Sequence, residues 1–140
     1  MYRKLLLAIL GFLLTCNLAL AETTTFKDLE NNVYDVQELT KIGADYEAFS
    51  GHVTELGLAL GRYKREINDS GSGAYEYLIK EAAEIYIEAL DNWRKSLSSD
   101  STNENIRDLT ARTNITLRDA KIKRAAKKIS DAEALKNTIK

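Results

Sequence analysis

The stretch TFKDLENNVYDVQELTKIGADYEAFSGHVTELGLALGRYKREI, residues 25–67, decides how this chain folds. Its apolar side chains fall at Phe26, Leu29, Val33, Val36, Leu39, Ile42, Tyr46, Phe49, Val53, Leu56, Leu60, Tyr63 and Ile67. From Ile42 onward the steps alternate between four and three, the spacing of a helix that packs lengthwise against another helix. Thr25 and Asp28 stand in capping-box spacing at its start. One irregularity interrupts the pattern: Val36 to Leu39 is a step of three where four is due, and Gly43 follows almost at once. A glycine there can end a helix in the left-handed conformation, or stay inside it at a cost of about 1 kcal/mol relative to alanine. The same run also tolerates Gly51, Gly57 and Gly61, and one long helix, kinked at Gly43, is the preferred reading.

Outward from this stretch the helical period continues. Two polar segments, 68–73 and 98–101, have the composition of turns, and the chain contains no proline. The second run, about 74–97, carries a wide apolar face through Tyr75, Leu78, Ile79, Ala82, Ile85, Tyr86, Ala89, Leu90, Trp93 and Leu97, which suits a central helix with two neighbours. The third, about 102–138, opens with Ser101 and Glu104 in capping-box spacing. Its core positions, among them Ile122, Ala125, Ile129 and Ala132, are small or widely spaced. The expected fold is all-α: an antiparallel bundle of three long helices, with four helices and a break near Gly43 as the alternative.

Residues 1–21 read as a cleaved signal peptide, with Arg3 and Lys4 before an apolar run from Leu5 to Leu14 and Ala19-Leu20-Ala21 at the cleavage point. The apolar run is about half the length a membrane span needs. The single bundle domain is then 22–140, periplasmic or secreted. The chain's one cysteine, Cys16, falls inside the signal, so the mature domain forms no internal disulfide, which favours a bacterial envelope over a small eukaryotic secreted domain. A lipid anchor at Cys16 is the alternative, weakened by the Thr15 that precedes it. Gly57-x-x-x-Gly61 has the spacing of a membrane dimer motif, but Arg62, Lys64, Arg65 and Glu66 beside it make a span untenable. Close packing of the small residues Gly43, Ser50, Thr54, Gly57 and Gly61 inside a bundle is the expected meaning.

Charge is segregated: residues 22–73 carry ten acids and five bases, and residues 102–140 five acids and ten bases. Such segregation concerns partners and packing rather than fold. The basic cluster Lys121, Lys123, Arg124, Lys127 and Lys128 is a candidate anion-binding surface, either for anionic membrane or as the complement of the acidic helices before it. No nucleic-acid partner is expected for an exported chain.

Catalytic and cofactor chemistry is poorly supplied. His52 is the only histidine and Met1 the only methionine, so bundle-type haem ligation and zinc sites lack ligands. No nucleophile motif and no pair of Glu-x-x-His segments is present. Glu81, Glu84 and Glu88 form the densest carboxylate cluster, read as a solvated helix face. No enzyme and no cofactor is expected. Tyr34, Tyr46, Tyr63, Tyr75, Tyr77 and Tyr86, with Phe26, Phe49 and Trp93, suit bundle seams or an aromatic cleft between helices.

Function is therefore expected to be non-enzymatic: an envelope protein acting on another protein or on itself. If the first helix is unbroken, its early part outruns the second helix, and Phe26, Leu29, Val33, Val36 and Leu39 become an interaction surface for a homodimer. A small-ligand-binding bundle with an aromatic cleft is one alternative, and a binder of anionic membrane through the basic third helix is another.

Overall fold

A computed structural model describes residues 25–66, 73–98 and 102–138; residues 1–21, expected to be a signal peptide, and Cys16 among them lie outside the described residues. Among the described residues the chain is all-helical and forms a bundle of four helices: α1 over 25–42, α2 over Tyr46–Glu66, α3 over Ala74–Leu97 and α4 over Glu104–Thr138. No helix among them is long and apolar enough to cross a membrane.

The expected continuous helix from 25 to 67 is interrupted at Gly43. Gly43 has φ +75°, and the Ala44 amide donates to the Leu39 carbonyl at 3.1 Å. That bond, with a left-handed residue just before it, is a Schellman stop. The restart follows at once: Asp45 Oδ1 accepts from the Ala48 amide at 2.9 Å and caps α2. Magnitudes favour the break. Leu29, Val33 and Val36 are fully buried, each contributing roughly 1.5–3 kcal/mol. Interrupting the helix forfeits a few backbone bonds worth about 1 kcal/mol net apiece, and the two caps recover part of that.

Contacts along the bundle set the helix directions. Near the start of α1, Phe26 stacks on Tyr63 of α2 at 5.8 Å and on Tyr75 of α3 at 6.0 Å, and Asp28 pairs with Arg62 at 3.5 Å. Glu30 accepts from Tyr75 and from Lys136 of α4 at 3.1 Å. At the other end Tyr46 and Phe49 of α2 meet Trp93 of α3. The helices therefore run up, down, up, down. Thr25 belongs to α1 and its hydroxyl donates to Glu66 of α2, so it joins two helices.

The core holds most of the residues that the periodicity selects: Leu29, Val33 and Val36 of α1; Phe49, Val53, Leu56, Leu60 and Tyr63 of α2; Ile79, Ala82, Tyr86 and Ala89 of α3; Ala125, Ile129 and Ala132 of α4. Ile42 and Leu97, which it also selects, lie at helix ends and are exposed. The surface expected on Phe26, Leu29, Val33, Val36 and Leu39 is accordingly inside the fold: the three central residues have no exposure, and Phe26 and Leu39 are half-buried. α1 folds back on α2, so no overhang is left for a second chain at that place. The strip of small residues brings no backbone close. A Cβ at Gly57 would lie 3.9 Å from Ile87 Cδ1, and one at Gly51 or Gly61 would meet nothing within 4 Å.

An overhang exists elsewhere. α4 has 35 residues and α3 has 24. Lys136, Lys128, Lys121 and Arg118 meet Tyr75, Glu81, Glu88 and Trp93 in order along the pair. The first turns of α4 consequently extend past the end of α3 by about 13 Å at 1.5 Å per residue. Its cap is Asn103, whose Oδ1 accepts from the amides of Asn105 and Ile106; Ser101 lies outside the described residues.

Candidate functional site

Because the Gly43 turn ends the α1–α2 hairpin while α4 runs on, the four helices do not close at that end. They leave a cleft of about 450 Å³, inside the range of roughly 300–1,000 Å³ typical of small-molecule sites. Leu39 and Thr40 at the end of α1, with Gly43 and Ala44 of the turn, form one wall, and Phe49 and Trp93 form the aromatic floor. Arg118, Asp119, Ile122 and Lys123 of α4 form the opposite wall.

Trp93 organises this site. Its ring packs edge-on to Tyr46 at 5.5 Å and tilted against Phe49 at 5.4 Å. The Arg118 guanidinium lies 4.3 Å from its centroid, in cation–π range. Arg118 is held by its neighbour in sequence: Nη2 is 2.6 Å and Nε 2.8 Å from Asp119 Oδ1. Arg118 is 19% exposed and Asp119 51%. Lys123 has no ion-pair partner among the described residues. Next to Thr40, the fully buried Tyr86 hydroxyl has no hydrogen-bond partner within bonding geometry among the described residues. Burial pushes that phenol up to about 12, against the opposing influence of the Thr40 hydroxyl.

Comparison with known families, with curated proteins and with solved structures gives no match. The site is therefore read from its own chemistry. An apolar floor and a rim of two cations and one carboxylate can hold a small organic molecule and orient a charged group on it. Among the described residues no three His, Cys, Asp or Glu side chains gather as a metal site. His52 is half-buried on α2 and outside the cleft.

Residues from separate sequence readings meet here. Leu39, assigned to an interaction surface, and Lys123, assigned to an anion-binding cluster, line the same cleft. The rest of that basic cluster is dispersed. Lys121 pairs with Glu88, Lys128 with Glu81 at 2.6 Å and Lys127 with Asp131 at 3.0 Å, while Arg124 acts on Glu81. Glu84 pairs with Lys64 at 2.6 Å, so Glu81, Glu84 and Glu88 clip α3 to both neighbours rather than forming a merely solvated face. The hydrogen bond from Lys128 holds the Glu81 carboxyl below the usual carboxylate range. Sequence reading passed over Arg118, although a signal was present: positions 118, 122, 125, 129 and 132 step by four and three, and an arginine occupies a seam place where an apolar residue is due.

Proposed function

We propose that this protein is an exported, non-enzymatic binding module of a bacterial envelope that takes a small organic ligand in the cleft at the Gly43 turn. The observation that carries this reading is the Trp93 ring, which lines the cleft with the Arg118 guanidinium 4.3 Å from its centroid. A half-buried tryptophan beside an unfilled volume is the arrangement of a stacking platform. Trp93 is also the only tryptophan in the chain, so its emission reports on the cleft alone. A ligand that binds the native state raises the melting temperature. The test is a panel of small organic compounds scored by both melting temperature and Trp93 emission; a panel in which no compound moves both would overturn the reading. Export is tested by N-terminal sequencing of the protein recovered outside the cytoplasm, with Glu22 expected first and a lipid-modified Cys16 as the contrary result.

Self-association has an observation of its own. Ile106, Leu109 and Leu117, 54%, 68% and 46% exposed, follow one stripe on the extended part of α4. At about 100° per residue this stripe is turned more than 90° from the seam of Ala125, Ile129 and Ala132. The occupant we assign to it is a second copy of the chain. Antiparallel two-fold pairing sets Ile106 against Leu117 of the copy, so the apolar stripe covers itself twice. Sedimentation equilibrium should show a dimer that Leu109→Lys dissociates. A wild-type monomer at every concentration tested would remove this second reading and leave the first intact.

A further inference from the structure

We infer that the ligand of the cleft is a small organic monoanion, a carboxylate carried on a flat apolar ring, and that its carboxylate takes the place of Asp119 on the Arg118 fork. This inference rests on the ligand-binding reading above and adds the chemical class.

Four features of the site converge on it. First, the charge of the walls is unbalanced. Arg118 and Lys123 face the cleft against the single carboxylate of Asp119, so one further negative charge neutralises the rim and a second would be in excess. Second, the donor is suited to the group. A guanidinium presents paired N–H donors that match a carboxylate, which an ammonium does not. Here both of its recorded donors, Nη2 and Nε, already converge on one carboxylate oxygen. The fork is thus presented in a carboxylate-binding pose.

Third, the present occupant is easily exchanged. Asp119 is half in solvent, and exposed ion pairs contribute little to stability, so Asp119 can turn to water when a ligand arrives. Arg118 itself is largely withdrawn from solvent and is positioned by the Trp93 face, so it remains in place as the anion changes. Fourth, the floor fits a ring. Leu39, Phe49, Trp93 and Ile122 supply apolar lining from each of the four helices, and a flat body beside Trp93 can set its substituent near Arg118, whose guanidinium lies 4.3 Å from the ring centroid. The volume of about 450 Å³ admits a one- or two-ring compound and not a polymer.

Calorimetric titration of the protein purified after expression of the whole chain tests this. The probes are 2-naphthoate, its neutral isostere 2-naphthamide, and the cation 2-naphthylmethylammonium. Naphthoate should bind at least about tenfold tighter than the amide, the size of effect one charge-assisted contact produces. Raising salt from about 0.05 to 0.5 M should weaken the carboxylate and leave the amide unchanged. Arg118→Gln should abolish the preference while retaining amide binding. Asp119→Asn should shift the other way and tighten naphthoate, an outcome that damage to the fold cannot imitate. Equal affinity for carboxylate and amide, or tighter binding of the ammonium, would overturn the anion assignment while leaving a ligand site. Absence of binding by all three probes would overturn both the class and the cleft.

Discussion

At the scale of single residues, glycines at neighbouring places in one sequence run have opposite consequences. Gly43 holds φ +75°, a conformation that costs an L-residue roughly 1–2 kcal/mol. Gly51 and Gly61 lie inside α2 with open space where a Cβ would go, and a helix-interior glycine is about 1 kcal/mol less favourable than alanine. Urea unfolding of Gly61→Ala should therefore show a gain near 1 kcal/mol, and Gly43→Ala a loss of similar size or larger. Equal and positive effects at both positions would mean that α1 and α2 are continuous after all.

Glu81 makes a pH-dependent contribution. Its folded-state pKa is lowered, chiefly by the Lys128 hydrogen bond. The carboxylate therefore stabilises the fold above its unfolded value, and the contribution is lost as pH falls through the lower folded value. Both side chains are partly exposed, at 22% and 27%, which keeps the effect to about 1 kcal/mol or less. Glu81→Gln should melt earlier than wild type at pH 7, and the two curves should draw together as pH is lowered below 4.5. A constant gap down to pH 2 would exclude the ion pair as its cause.

At the scale of elements, α4 is two structures in one helix. Its later half buries Ala125, Ile129 and Ala132, while Ile106 and Leu109 of its early half are more than half exposed. A helix without packing on one side frays, because tertiary burial supplies most of its stability. In the Leu109→Lys variant, which leaves this half uncovered, amide hydrogen exchange at 107–112 should be much faster than at 125–132. Uniform protection along α4 would show that something covers the early half in solution.

Elements also explain what the sequence made legible. Alternating steps of four and three identified the seams of α1 and α2 because every seam residue repeats within a few positions. The turn at Gly43 was a closer decision, since a glycine that stops a helix and one tolerated inside it differ by about 1 kcal/mol. Asp45, two residues later in capping position, would have tipped it. Apart from the seam place of Arg118, the cleft left no local pattern: Thr40, Phe49, Trp93 and Arg118 come from four different helices, and only folding brings them together.

For the whole molecule, the order of the helices governs how fast it is made. Each helix follows its neighbour up and down the bundle, and a turn of three residues, 43–45, joins the first pair. Most of the packing thus forms between stretches adjacent in sequence, and chains dominated by local contacts fold in microseconds to milliseconds. No proline is present to add a peptide-bond isomerisation lasting roughly 10–100 s. Stopped-flow refolding should give one fast phase with no slow tail, and a tail of seconds would point to a trapped intermediate. The up-and-down order is in this sense a kinetic property: a chain threaded unfolded through a channel can regain its native state within moments of emerging, without help from an isomerase.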